Sequence, residues 1–207
     1  MKRQEHWDRA YRDRAATELS WYRPMLDISL ALIRSVSEPS SRLIDVGGGA
    51  STLVDDLLEL GYSELTVLDV SPEALARSQA RLGARAKRVS WVVGDISDTP
   101  LLPASFDVWH DRAAYHFLTE ERDRRSYAEA AARALSPGGH IVIATFAPDG
   151  PERCSGLDVC RHSAESIAQE LGPAFELLDE RLETHLTPAG REQKFMYALL
   201  RRRDVSS

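Results

Sequence analysis

Residues 43–51 read Leu-Ile-Asp-Val-Gly-Gly-Gly-Ala-Ser, and this stretch decides the fold. A short apolar run ends in an acid, three glycines follow, and Thr52-Leu-Val-Asp-Asp-Leu-Leu-Glu-Leu60 then shows helical spacing. The order predicts a buried strand, a tight turn and a helix. Glycine lets the chain turn sharply and lets a ligand approach the main chain closely. The helix directs its free N–H groups at whatever lies in the turn. Such a turn opens a site for a nucleotide-like ligand.

A phosphate-binding loop would need a Gly-Lys-Ser/Thr ending, and no lysine is near. A dinucleotide fingerprint, Gly-x-Gly-x-x-Gly, would place glycine where Thr52 stands. The run Asp45 to Ser51 instead resembles motif I of the class I S-adenosylmethionine (SAM) dependent methyltransferases, Asp/Glu-x-Gly-x-Gly-x-Gly, with Ser51 in place of the last glycine. The resemblance implies that Asp45, Gly47, Gly48 and Gly49 belong to a SAM site.

The landmarks continue in order. Glu64-Leu-Thr-Val-Leu-Asp69 reads as a second strand, followed by Val70, a capping Ser71 and Pro72 at the first helical position. Asp69 stands at the strand tip, where an acid can accept bonds from two ribose hydroxyls; its spacing from the glycine loop favours that role over a cap on the next turn. Val89-Ser-Trp-Val-Val is a third strand, and the resemblance implies that Asp95 meets the adenine amino group with Ile96 beside the ring. Ser105-Phe-Asp-Val-Trp-His-Asp111 reads as a fourth strand. Leu135-Ser-Pro-Gly-Gly139, frequent in this family before the fifth strand, leads into Ile141–Phe146.

The alternation of strand and helix predicts an α/β fold with a mostly parallel sheet and helices on both faces. Phe175–His185 and Lys194–Arg201, joined by Thr187-Pro-Ala-Gly190, read as a terminal antiparallel pair. The resemblance therefore implies the seven-stranded, Rossmann-like methyltransferase sheet. Residues 1–207 are expected to form one domain, with 1–25 as an N-terminal arm or lid and 26–207 as the core. Residues 147–161 read as irregular, and Ser163 is expected to cap a short helix ended by Gly172-Pro173.

At 207 residues, 43% hydrophobic and 28% charged, the composition is that of an ordinary globular domain. The net charge of −6 argues against a dedicated nucleic-acid binder. No apolar run reaches the roughly 18 residues of a membrane span, and the charged start lacks a signal-peptide core, so a cytoplasmic location is expected. Cys154 and Cys160 fit neither a redox pair nor a zinc signature, and no metal site is expected.

The methyl acceptor should lie beyond the carboxyl ends of the strands. Trp109-His-Asp-Arg-Ala-Ala-Tyr-His116 occupies the place of motif IV and loosely resembles the Trp-Asp-Arg-Gly of thiopurine-type methyltransferases. Strand alternation puts Asp107, Trp109 and Asp111 on one side and His110 on the other. Asp111 and His110 are the candidate catalytic groups, able to take a proton from an amine or hydroxyl acceptor. A hydrogen-bonded core histidine is the other reading of His110. His6-Trp-Asp-Arg-Ala-Tyr11 with Trp21 resembles the arm that closes over SAM in seven-β-strand protein methyltransferases. That implies cofactor contacts from Trp7, Tyr11 and Trp21; aromatic packing on the core is the alternative.

The sequence thus points to transfer of a methyl group from SAM to an acceptor, a small molecule in the first reading. A protein lysine side chain, a non-catalytic SAM- or nucleotide-binding regulator, and a nicotinamide dehydrogenase are the alternatives.

Overall fold

The computed structural model describes residues 2–13, 18–20 and 22–204. A seven-stranded sheet runs in the order β3-β2-β1-β4-β5-β9-β8. Its members are β1 (Leu43–Val46), β2 (Leu65–Asp69), β3 (Val89–Val93), β4 (Phe106–Arg112), β5 (Leu135–Phe146), β8 (Phe175–Leu186) and β9 (Glu192–Arg202). The first five pair in parallel, and β9 enters antiparallel between β5 and β8. This is the mostly parallel seven-stranded sheet with a terminal antiparallel pair that the sequence predicts.

Helices α2 (Asp27–Val36), α3 (Leu53–Glu59) and α4 (Pro72–Leu82) cover one face, and α5 (Glu121–Ala134) and α6 (Ala164–Leu171) cover the other. The strands sort their side chains between the two layers by strict alternation. Val108, Val142, Ala144, Phe195 and Tyr197 join the α2–α4 layer. Trp109, Ile141, Ile143, Met196 and Ala198 join the α5–α6 layer. β1 is buried along its whole length, as a parallel strand covered on both faces must be.

The local punctuation acts as its chemistry requires. Ser71 Oγ accepts the Ala74 N–H and Pro72 opens α4. Ser163 Oγ accepts the Ser166 N–H at the start of α6, and Gly172, at φ 86°, ends it. Pro137 lies just past α5, which stops at Ala134. The turn between β8 and β9 closes through the Gly190 N–H to Thr187 carbonyl bond.

Two segments differ from the sequence reading. Residues 147–161 hold a small hairpin, β6 (Arg153–Cys154) with β7 (Leu157–Asp158), too short for periodicity to reveal. β5 begins at Leu135, so the Ser-Pro-Gly-Gly turn lies inside an irregular strand start. His116 sits in a single 3₁₀ turn, Tyr115–Phe117. The N-terminal helix α1 (Lys2–Asp13) lies against α4 and buries Trp7 and Tyr11 with Leu19, Ala50 and Ala74. No helix among the described residues is long and apolar enough to cross a membrane.

Candidate active site

A cavity opens at the carboxyl ends of the strands and crosses the sheet from the tip of β3 to that of β4. Its wall includes Asp45, Gly47, Gly48, Asp69, Val70, Asp95, Ile96, His110, Trp7 and Tyr11, all singled out from sequence. Trp21 lies outside the described residues.

The glycine loop is fixed by geometry as much as by freedom. Gly47 has φ 69°, and a Cβ there would stand 2.5 Å from Ala114 Cβ. A Cβ at Gly48 would stand 2.4 Å from Asp45 Oδ2. Gly49 lies behind the wall, where its carbonyl accepts the Ser78 hydroxyl at 2.6 Å. Ser51, the departure from the glycine pattern, accepts the Leu53 N–H through its hydroxyl and so satisfies a free donor of the first turn of α3.

Three acids follow one another in sheet order. Asp95, beyond β3, accepts the Ser97 N–H and hydroxyl through Oδ1 and the Arg3 guanidinium at 2.7 Å through Oδ2. Burial works to raise its pKa, but the Ser97 donors and Arg3 outweigh it and hold the carboxyl below its usual range. Asp69, at the end of β2, accepts the Ser71 N–H at 2.8 Å. Burial pushes its pKa up to about 7, against the pull of N–H donors from Ser71 and Gly49. Asp45, on β1, is 3% exposed, and its Oδ2 has no hydrogen-bond partner.

His110 and Asp111, the candidate proton acceptors, are both held by hydrogen bonds. Both ring nitrogens of His110 are engaged, Nδ1 with Asp45 Oδ1 at 2.7 Å and Nε2 with Ser29 Oγ at 2.9 Å. Asp111 faces the opposite layer and does not line the cavity. Its carboxylate accepts the Ala114 and Tyr115 N–H groups and the Tyr127 hydroxyl. That arrangement ties the turn after β4 to α5 and leaves no open oxygen toward a ligand. Arg112, next along the strand, turns back to the cavity. It does not pair with Asp111; it donates to Tyr197 Oη at 2.9 Å and to Glu183. Glu183 also receives Arg23, so β4, β8, β9 and the segment before α2 meet at this rim.

Sequence reasoning missed Arg3, Tyr22, Arg23, Phe117, Leu118 and Cys154 among the lining residues. Arg3 spans Asp95 and Asp123, each at 2.7 Å, and Trp7 packs edge-on against Phe117 at 4.9 Å. Asp8 accepts the Ser71 hydroxyl at 2.5 Å. Through these contacts α1 roofs the cavity. A basic residue at position 3 beside the aromatic arm was the one available signal; its partners lie 92 and 120 residues away.

The chain is similar to proteins named as methyltransferases. Residues 44–143 match the methyltransferase domain family. The chain is 28% identical over 149 residues to the eEF1A lysine and N-terminal methyltransferase of Danio rerio, covering 70% of this chain and 21% of that protein. It therefore spans only about a fifth of the length of that relative. It is 22% identical over 213 residues to EEF1A lysine methyltransferase 2 of Homo sapiens, covering 95% and 84% of the two chains. Its fold is similar to that of 1,6-didemethyltoxoflavin-N1-methyltransferase from Burkholderia thailandensis, solved with bound 1,6-didemethyltoxoflavin and S-adenosylhomocysteine. The TM-score is 0.70 at 21% identity, over 98% of this chain and 85% of that one.

Proposed function

From a methyltransferase domain at residues 44–143 within a class I methyltransferase fold, we propose that this protein binds SAM across the strand tips and transfers its methyl group to a small-molecule acceptor. One observation carries the reading: Asp95, Asp69 and Asp45 line a single roofed cavity in sheet order, and Asp45 keeps a buried oxygen without a partner. A buried polar atom without a partner costs roughly 1–3 kcal/mol, so the site is shaped for a donor. Asp95 and Ile96 would take the adenine, Asp69 the ribose hydroxyls, and Asp45 the amino-acid end, over Gly47 and Gly48. Val70 would flank the nucleoside, and Trp7 and Tyr11 would close over it as a lid.

SAM, when bound, supplies a methyl group already activated on a sulfonium. The chain then contributes position and a dry cavity for an in-line displacement. The acceptor would enter beyond Asp45, toward Arg23, His110, Arg112 and Cys154. At that end His110 has spent both nitrogens, and burial pushes the Cys154 thiol up to about 11, so it stays protonated. Such surroundings favour an acceptor atom that is nucleophilic without a strong enzymic base, an amine or a thiol.

A protein lysine acceptor is the second reading, favoured by the names of the eEF1A methyltransferases that the chain resembles. A transfer assay with tritiated SAM on separated small-molecule and protein fractions of a cell lysate tests the two. Label in the small-molecule fraction supports the first reading, label on protein the second, and cofactor binding without label on either a non-catalytic binding role.

A further inference from the structure

Asp45 and His110 are register partners across the parallel β1–β4 ladder and point to the same face of the sheet. On that face α2 brings Ser29 within 2.9 Å of His110 Nε2. Ser29, His110 and Asp45 are 0%, 1% and 3% exposed. An ionised carboxylate can only accept, so His110 Nδ1 carries the hydrogen toward Asp45 Oδ1, and Nε2 shares a hydrogen bond with the Ser29 hydroxyl. The imidazole is then held at both nitrogens. Its effect falls on Asp45. One carboxylate oxygen is pinned by His110, and the other is held against Gly48, where even a methyl group would collide at 2.4 Å.

We propose that His110, braced by Ser29, is a positioning residue. It locks the carboxylate plane of Asp45 so that Oδ2 meets the α-ammonium of the cofactor's amino-acid moiety. This inference rests on the SAM reading above. A desolvated, immobile oxygen without a partner suits a compact ammonium group with three donors. A carboxylate free to rotate would lose that orientation without losing its charge. The Ser29–His110–Asp45 relay therefore makes the site selective for amino-acid-bearing sulfur nucleosides over the bare nucleoside.

Two measurements on the full chain separate this relay from the cofactor reading. The first needs no ligand: ¹⁵N NMR of the histidine side chains at neutral pH. It should show a ring protonated at Nδ1, assigned by its loss in His110→Asn and perturbed in Asp45→Asn. A His110 ring that carries no proton on Nδ1 overturns the relay. The second is calorimetric titration with S-adenosylhomocysteine and with 5′-methylthioadenosine, which lacks the amino-acid portion. His110→Ala should weaken S-adenosylhomocysteine binding about tenfold and 5′-methylthioadenosine binding less than twofold. His110→Asn, whose amide can reach Asp45 Oδ1, should recover part of the loss, and Ser29→Ala should show a smaller loss with the same selectivity. Equal weakening of both ligands, or of neither, overturns the proposal. Should His110→Ala fail to fold, the Asn and Ser29→Ala variants carry the same comparison. Wild type binding neither compound while the NMR signature is intact would overturn the SAM reading and leave the relay geometry standing.

Discussion

Asp111 Oδ2 accepts the hydroxyl of Tyr127 at 2.9 Å, and the same Tyr127 oxygen accepts the Trp109 indole N–H at 2.8 Å. The acid at the tip of β4 is therefore a structural knot between strand, turn and α5. Asp111→Ala orphans two backbone donors and a buried hydroxyl, and should cost about 2–4 kcal/mol of unfolding free energy. Tyr127→Phe, which removes one bond and opens little space, should cost about 1–2 kcal/mol. Chemical denaturation checks both. A stable Asp111→Ala protein that binds cofactor normally but has lost transfer would restore a catalytic role for the acid.

Asp69 gives the site a pH dependence. Its folded pKa of about 7 lies above the unfolded value near 3.9. The contribution of this acid to stability is thus fully present below about pH 4 and lost as the pH rises through about 7. Asp69→Asn should stabilise the ligand-free protein relative to wild type increasingly across that window, by ~1–3 kcal/mol at its upper end. Ribose hydroxyls need the ionised carboxylate. Affinity for S-adenosylhomocysteine should therefore rise by up to about tenfold per pH unit below pH 7 and level off above it, with a flat profile in Asp69→Asn. Thermal melts and titrations at several pH values read both effects.

Gly48→Ala tests the loop by size alone. The new methyl would fall 2.4 Å from Asp45 Oδ2 and 2.8 Å from Val67 Cγ1, so the loop must shift. About 1–3 kcal/mol of stability should be lost. Cofactor affinity should fall by more than tenfold in the same titration; unchanged affinity would mean that the loop does not contact the ligand.

The roof formed by α1 should govern release. Arg3 bridges Asp95 and Asp123, with all three side chains about one-third exposed, so each pair is worth ~0.5–1 kcal/mol. Arg3→Ala should speed dissociation of S-adenosylhomocysteine about three- to tenfold in stopped-flow measurements, and salt should narrow the gap from wild type. A variant that leaves the off-rate unchanged would remove the lid from the account.

The sequence carried the parts of this fold that are written locally. The strand–glycine–helix unit at 43–60, the strand-end acids Asp69 and Asp95, the caps at Ser71 and Ser163 and the terminal antiparallel pair all follow from spacing, turn chemistry and motif order. Alternation also separated His110 from Asp111 by face. What it could not convey is the partner each face meets. Ser29 and Asp45 lie 81 and 65 residues from His110, and Arg3 lies 92 residues from Asp95. Those pairings arise only when the α2 layer and α1 close on the sheet. Read locally, His110 and Asp111 are a promising acid–base pair; read through their neighbours, one holds Asp45 and the other holds a turn.

The most direct test of the central claim is calorimetric titration of the wild-type chain with SAM and S-adenosylhomocysteine, beside NAD, with Asp69→Ala in parallel. The account predicts micromolar binding of both sulfur nucleotides, none of NAD, and loss of at least tenfold in affinity on removing the Asp69 carboxylate. Well-folded wild type that binds neither sulfur nucleotide would contradict it.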